Sequence, residues 1–199
     1  MRLASGAWYD LGTLGGGSGT AYAINDLAAA VGSSITSTGQ THAFLWTPAG
    51  GIRDIGTLPG GTYSEAYAIN IAGVAVGRSN LSGSPYMHAF AWRNGTPMWD
   101  LGAAAEGASE ARGINTWGHV AGAWTAPGGT SKAVLWVRGY MIDLNLLLPA
   151  GSGWELTDAR AVNDSLQIAG NGMHNGKAEG FLLKPPAGAA LPPPAIPAQ

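Results

Sequence analysis

Three carboxylates stand at matching places in a repeated pattern: Glu65, Glu110 and Asp158. Each is followed by Ala and then by Tyr67, Arg112 or Arg160, and a fourth copy reads Thr20, Ala21, Tyr22. Carboxylates held about 5–10 Å apart can act as acid and base in glycoside cleavage. They can also bind a cation such as calcium, or pair with Arg112, Arg160 or backbone donors at a strand end. His174 is a further candidate acid or base. His42 and His88 fall in different copies of the pattern, and no HxH or HExxH spacing occurs, so no metal site is assigned and no cofactor is implied. There is no Gly-x-Ser-x-Gly elbow and no cysteine, which removes the usual signatures of acyl-transfer nucleophiles. The glycines Gly15–Gly17 lack a following helix and Lys, so they are read as a turn and not as a phosphate loop.

Aromatic residues offer a different chemistry. The chain holds 8 Trp, of which Trp46, Trp92 and Trp136 recur in register, a pattern that predicts core. Trp8 and Trp99 flank recurring Asp residues and are also read as core. Trp117, Trp124 and Trp154 have no counterparts, and an unmatched aromatic can stack on a sugar ring or an apolar ligand. Trp154, Tyr22, Tyr67, Arg112 and Arg160 form the expected ligand-binding set.

These residues need elements to hold them, and internal repeats supply the elements. Asp-Leu-Gly at Asp10–Gly12 recurs as Asp54–Gly56 and Asp100–Gly102, then becomes Asp143-Leu144-Asn145. Ala-Ile-Asn stands at 23–25 and 68–70, and becomes Gly-Ile-Asn at 113–115 and Ala-Val-Asn at 161–163. Seven residues after each Asn comes Gly32, Gly77, Gly122 or Gly170. A third motif runs His42-Ala-Phe-Leu-Trp46, His88-Ala-Phe-Ala-Trp92, Lys132-Ala-Val-Leu-Trp136 and Glu179-Gly-Phe-Leu-Leu183. Short apolar segments divided by Gly, Asn, Ser and Pro read as strands, and the Asn of Ala-Ile-Asn suits a tight turn, because Asn tolerates the left-handed conformation and can bond its own backbone. Four strands per period of about 45 residues predict a blade of a β-propeller.

The expected architecture is therefore an all-β, four-bladed propeller over residues 1–184. Its blades span about 18–56, 63–102, 108–145 and 156–184. A lone strand at residues 7–12 completes the last blade, closing the ring and removing an open edge. Residues 185–199 are a Pro-rich tail with no core-forming pattern, expected to be disordered.

The motifs His42-Ala43-Phe44 and His88-Ala89-Phe90, the run from Asp10 through DLGTLGGGSG, and the Ala-Ile-Asn segments resemble the HAF repeat of extracellular bacterial repeat proteins. The resemblance covers about residues 8–184. It implies an extracellular or cell-surface setting and carries no catalytic motif. Lys132 and Glu179 depart from the His of the pattern.

Composition limits the partners. The net charge is −2 and only 11% of residues are charged, so there is no basic surface for a phosphate backbone and nucleic acid is not expected. No apolar run is long enough to span a membrane. The first ten residues lack the apolar stretch of a signal peptide. The expectation is a monomeric binding module for a glycan or another small ligand. A hydrolase or lyase, and a structural or protein-interaction domain, are the alternatives.

Overall fold

The computed structural model describes residues 8–102 and 106–185. The Pro-rich segment beyond residue 185 lies outside them. Fifteen strands form four antiparallel sheets, three of four strands and one of three. The first holds β1 (Gly15–Ile24), β2 (Ala30–Thr36), β3 (Thr41–Thr47) and β4 (Gly51–Gly56). The second holds β5 (Ser64–Ile69), β6 (Val74–Ser79), β7 (His88–Arg93) and β8 (Trp99–Gly102). The third holds β9 (Ala108–Ile114), β10 (Val120–Thr125), β11 (Ser131–Val137) and β12 (Tyr140–Asp143). The fourth holds β13 (Trp154–Val162), β14 (Ile168–His174) and β15 (Lys177–Leu183). Within each sheet the strands are joined in chain order. A 3-10 turn at Leu144–Leu147 is the only helical element among the described residues, and no helix is long and apolar enough to cross a membrane.

Each sheet faces the next, so the third strand of the inner sheets is covered on both sides and reads as a continuous apolar run. One core joins the first and second sheets through Val31, Leu45, Ala66, Phe90 and Trp92. A second joins Val76 and Ala91 to Ala111, Val134 and Trp136. A third joins Ala133 and Leu135 to Leu156, Ala159 and Ile168. Trp46, Trp92 and Trp136 are buried, as their register predicted. Trp136 also donates Nε1–H to the Leu101 carbonyl, 3.0 Å away on the preceding sheet.

The Ala-Ile-Asn motif fastens sheet to sheet. Asn25 donates its side-chain amide to the Asn70 carbonyl at 2.9 Å, Asn70 to the Asn115 carbonyl at 3.0 Å, and Asn115 to the Asn163 carbonyl at 3.1 Å. Each Asn Oδ1 accepts a backbone N–H four residues on, at Ala29, Val74, His119 or Gln167. The ladder stops at the fourth sheet, where Asn163 donates to Gln167 in its own turn. The left-handed residue of these turns is not the Asn, as its tolerance of that conformation had suggested. It lies three positions on, at Ala28, Gly73, Gly118 and Leu166, and only two of these are glycine.

Three expectations change. β1 begins at Gly15, so Gly15–Gly17 belong to a strand whose register is irregular up to Gly19. Trp8 is exposed, 87% of its surface open to solvent, because no further sheet covers it. Residues 8–13 form no strand, and the fourth sheet has three strands, so the described residues show no closed ring.

His119 is buried at the position Gln167 takes in the fourth repeat. Its Nδ1 lies 3.0 Å from the Asn115 amide, which makes Nδ1 the acceptor. Burial lowers its pKa, against a smaller opposing effect of Asp164. A depressed folded-state value means the unfolded chain takes up the proton first. Stability present above the ordinary His range near pH 6.5 is therefore lost as pH falls below it. Denaturant titrations between pH 7 and 5 should show this slope in the native chain and a flatter one in His119→Gln. Superimposable slopes would refute the assignment.

Candidate functional site

The matching carboxylates meet along one line across the second, third and fourth sheets, with Thr20 in their place on the first. Their strands place them alike: Glu65 is opposite Arg78, Glu110 opposite Ala123, Asp158 opposite Asn171 and Thr20 opposite Ser33. Glu65 accepts from Tyr22 at 3.2 Å, from Tyr67 at 2.6 Å, and from Arg78 Nη2 and Nε at 2.9 and 3.1 Å. Arg78 also lies 3.5 Å from Glu110, which pairs with Arg112. Arg112 in turn is 3.5 Å from Asp158, and Arg160 Nε lies 2.5 Å from the second Asp158 oxygen. The Tyr67 ring sits against the Tyr22 ring at 5.4 Å, with the guanidinium carbons of Arg78 and Arg112 at 5.8 and 5.6 Å.

Three carboxylates thus alternate with three guanidinium groups, and no net charge remains for an ionic ligand. Burial raises the Glu65 pKa, but hydrogen bonds from Tyr67, Tyr63 and Arg78 outweigh it and hold the carboxyl below the ordinary carboxylate range. The Tyr67 phenol is pushed up, by burial first and by Glu65 second. Glu65 is therefore ionised and Tyr67 neutral near pH 7. A low-pKa carboxylate with both oxygens engaged is poorly placed to donate a proton to a leaving group. Among the described residues, no group of three or more His, Asp or Glu is placed to hold a metal ion.

The expected residues Tyr22, Tyr67, Glu65, Glu110, Arg112, Asp158 and Arg160 come together in this zipper. Trp154 and His174 form a second group on the fourth sheet. Their rings stack at 4.6 Å and 7°. His174 Nδ1 lies 3.4 Å from Glu179, and Asn175 Nδ2 lies 3.2 Å from His174 Nε2. Trp154, half-buried, lines a hollow of about 190 Å³ with Leu156 and Phe181. Trp117 is 51% exposed in a turn, and Trp124 packs into the core of the second and third sheets.

The recurring His and Asp are structural. His42 pairs with Asp54 at 2.8 Å, His88 with Asp100 at 2.9 Å, and Lys132 with Asp143 at 2.9 Å. In each pair the Asp also caps a turn, accepting from the backbone two residues on. The sequence reading missed Ser64 and Ser109, which tie neighbouring sheets together. Ser64 Oγ takes the Ala43 N–H at 2.8 Å and donates to the Gly56 carbonyl, and Ser109 does the same for Ala89 and Gly102. Their signal was present, one residue before Glu65 and Glu110. Arg78 had none, because its register partners are Ser33, Ala123 and Asn171. No protein-family model matches this chain, and no curated protein matches it.

Proposed function

We propose that the four sheets are blades of a β-propeller of the HAF-repeat kind, and that the protein is a non-catalytic carbohydrate-binding module in an extracellular or cell-surface setting. The observation that carries this reading is the Trp154 indole. It is the one unmatched Trp whose ring is held by a stacked neighbour, so its orientation is fixed before a ligand arrives. The neighbouring polar groups of His174, Glu179 and Asn175 suit sugar hydroxyls. The carboxylates that would have supported a hydrolase or lyase are engaged by Arg and Tyr partners, which favours binding over catalysis.

A glycan and polysaccharide array tests this reading. Trp154→Ala is expected to weaken a defined hit by about tenfold, the scale of one lost aromatic contact. Trp117→Ala should leave it unchanged. Circular dichroism of both variants separates lost binding from lost fold. A blank array, or a hit indifferent to Trp154→Ala in a folded variant, would refute the proposal.

A further inference from the structure

The two ends of the sheet array carry interface residues that the described residues leave open. Ala66, Ala111 and Ala159 are fully buried, whereas their counterpart Ala21 on the first sheet is exposed. Ile69 and Val162 are each 8% exposed, whereas Ile24 is 67% exposed. At the other end, Leu45 and Leu135 are 9% and 5% exposed, whereas Leu182 in the same register is 58% exposed. Ala21, Ile24, Ala30 and Trp46 line an apolar hollow of about 430 Å³ on the first sheet. Inside the chain, each such face is covered by a neighbouring repeat.

The N-terminal segment points to the same partner. Asp10 Oδ1 accepts the Gly12 N–H at 2.9 Å, as Asp54 does for Gly56. The Tyr9 ring packs on Trp46 at 5.7 Å, as Arg53 packs over Trp92. Residues 9–12 thus sit against the first sheet as β4 sits against the second, yet they belong to no strand. β15 is paired on one side only.

We propose that a second copy of this chain supplies what each end lacks. The fourth sheet of one copy seats on the first sheet of the other, and residues 8–12 of that copy add to β15 as its fourth strand. Two such contacts are self-complementary and close one ring of eight sheets. This replaces closure within a single chain. The internal pairs Phe44 with Asp54 and Leu45 with Arg53 set the register, which places Asp10 opposite Phe181 and Tyr9 opposite Leu182. Glu179 stands where His42, His88 and Lys132 hold their Asp. Its carboxylate meets Asp10 there, so this joint lacks the ion pair of the other three and is the reversible one.

The chain has no cysteine, so a designed disulfide reports cleanly. Directly opposed residues in an antiparallel pair lie about 4.5–5.5 Å apart at Cα, within disulfide reach. The native chain should elute at twice its 20.2 kDa mass, and oxidised Tyr9→Cys/Leu182→Cys should run as a covalent dimer without reductant. Leu182→Lys, at an exposed site, should give a monomer with unchanged circular dichroism. Glu179→His should tighten association by about fivefold, the upper scale of an exposed ion pair. A disulfide formed within one chain would overturn the proposal in favour of closure on itself. A native chain that stays monomeric at high concentration would overturn it outright.

Discussion

Gly77→Ala is expected to destabilise the chain by about 3 kcal/mol or more, above the usual range for an added methyl group. A Cβ at Gly77 would lie 1.8 Å from the Glu65 carbonyl oxygen and 2.9 Å from the Ala66 Cα. Both are backbone atoms of the paired strand β5, so no side chain can rotate away. The contact falls where the β5–β6 register shifts between Ala66 and Ala68, which presses the two strands together. The same approach recurs at Gly32, Gly122 and Gly170, with 1.9, 2.0 and 2.1 Å to Thr20, Glu110 and Asp158 carbonyls. This is why a glycine follows every Asn by seven residues. Gly17→Ala, where a Cβ meets nothing within 4 Å, serves as the control and should be close to neutral in urea titration. Equal midpoints for the two variants would refute the account.

Asn70→Ala is expected to cost about 3 kcal/mol, since it strands the buried Val74 N–H at roughly 1–3 kcal/mol and removes a buried bond between sheets worth about 1 kcal/mol. Asn70 is 5% exposed. Its Oδ1 takes the Val74 N–H at 3.0 Å and its amide reaches the Asn115 carbonyl at 3.0 Å. Ala leaves the Val74 N–H without its acceptor, while the Asn115 carbonyl keeps the Gly118 N–H and loses only the bond between sheets. An Asp in the same place would keep the turn and lose the inter-sheet bond, so Asn70→Asp should recover part of the loss. An Asn70→Asp no better than Asn70→Ala would mean that only the inter-sheet bond matters.

The strands were legible because their signals are local. Apolar runs such as Ala43–Trp46, bounded by turn residues, can form a buried strand without reference to the rest of the chain. The in-register Trp residues were legible because repetition points to packing and not to a single reaction centre. The carboxylates at 65, 110 and 158 fall on one line because they keep equal offsets from Ala-Ile-Asn, a spacing the sequence displays directly. What failed depended on distant contacts. Trp8 resembles Trp99 in sequence, but Trp99 packs into the core of the second and third sheets while Trp8 has no further sheet over it. The Asn motif read as turn chemistry, because a side chain's second hydrogen bond, to a residue 45 positions away, leaves no local trace. Arg78 had no repeated counterpart, so its bridge between Glu65 and Glu110 was invisible until the strands were placed.

The Asn ladder carries the central claim, that four equivalent sheets are fastened in sequence and the fastening stops at the fourth. Equilibrium unfolding of Asn25→Ala, Asn70→Ala, Asn115→Ala and Asn163→Ala, each made in the Leu182→Lys chain so that no second copy covers the fourth sheet, tests it most directly. The first three variants remove a bond to the next sheet, whereas Asn163→Ala removes only bonds within its own turn. The expected order puts the buried Asn70 and Asn115 as the most costly, Asn25 next and Asn163 least. Four equal losses, or the largest loss at Asn163, would contradict it.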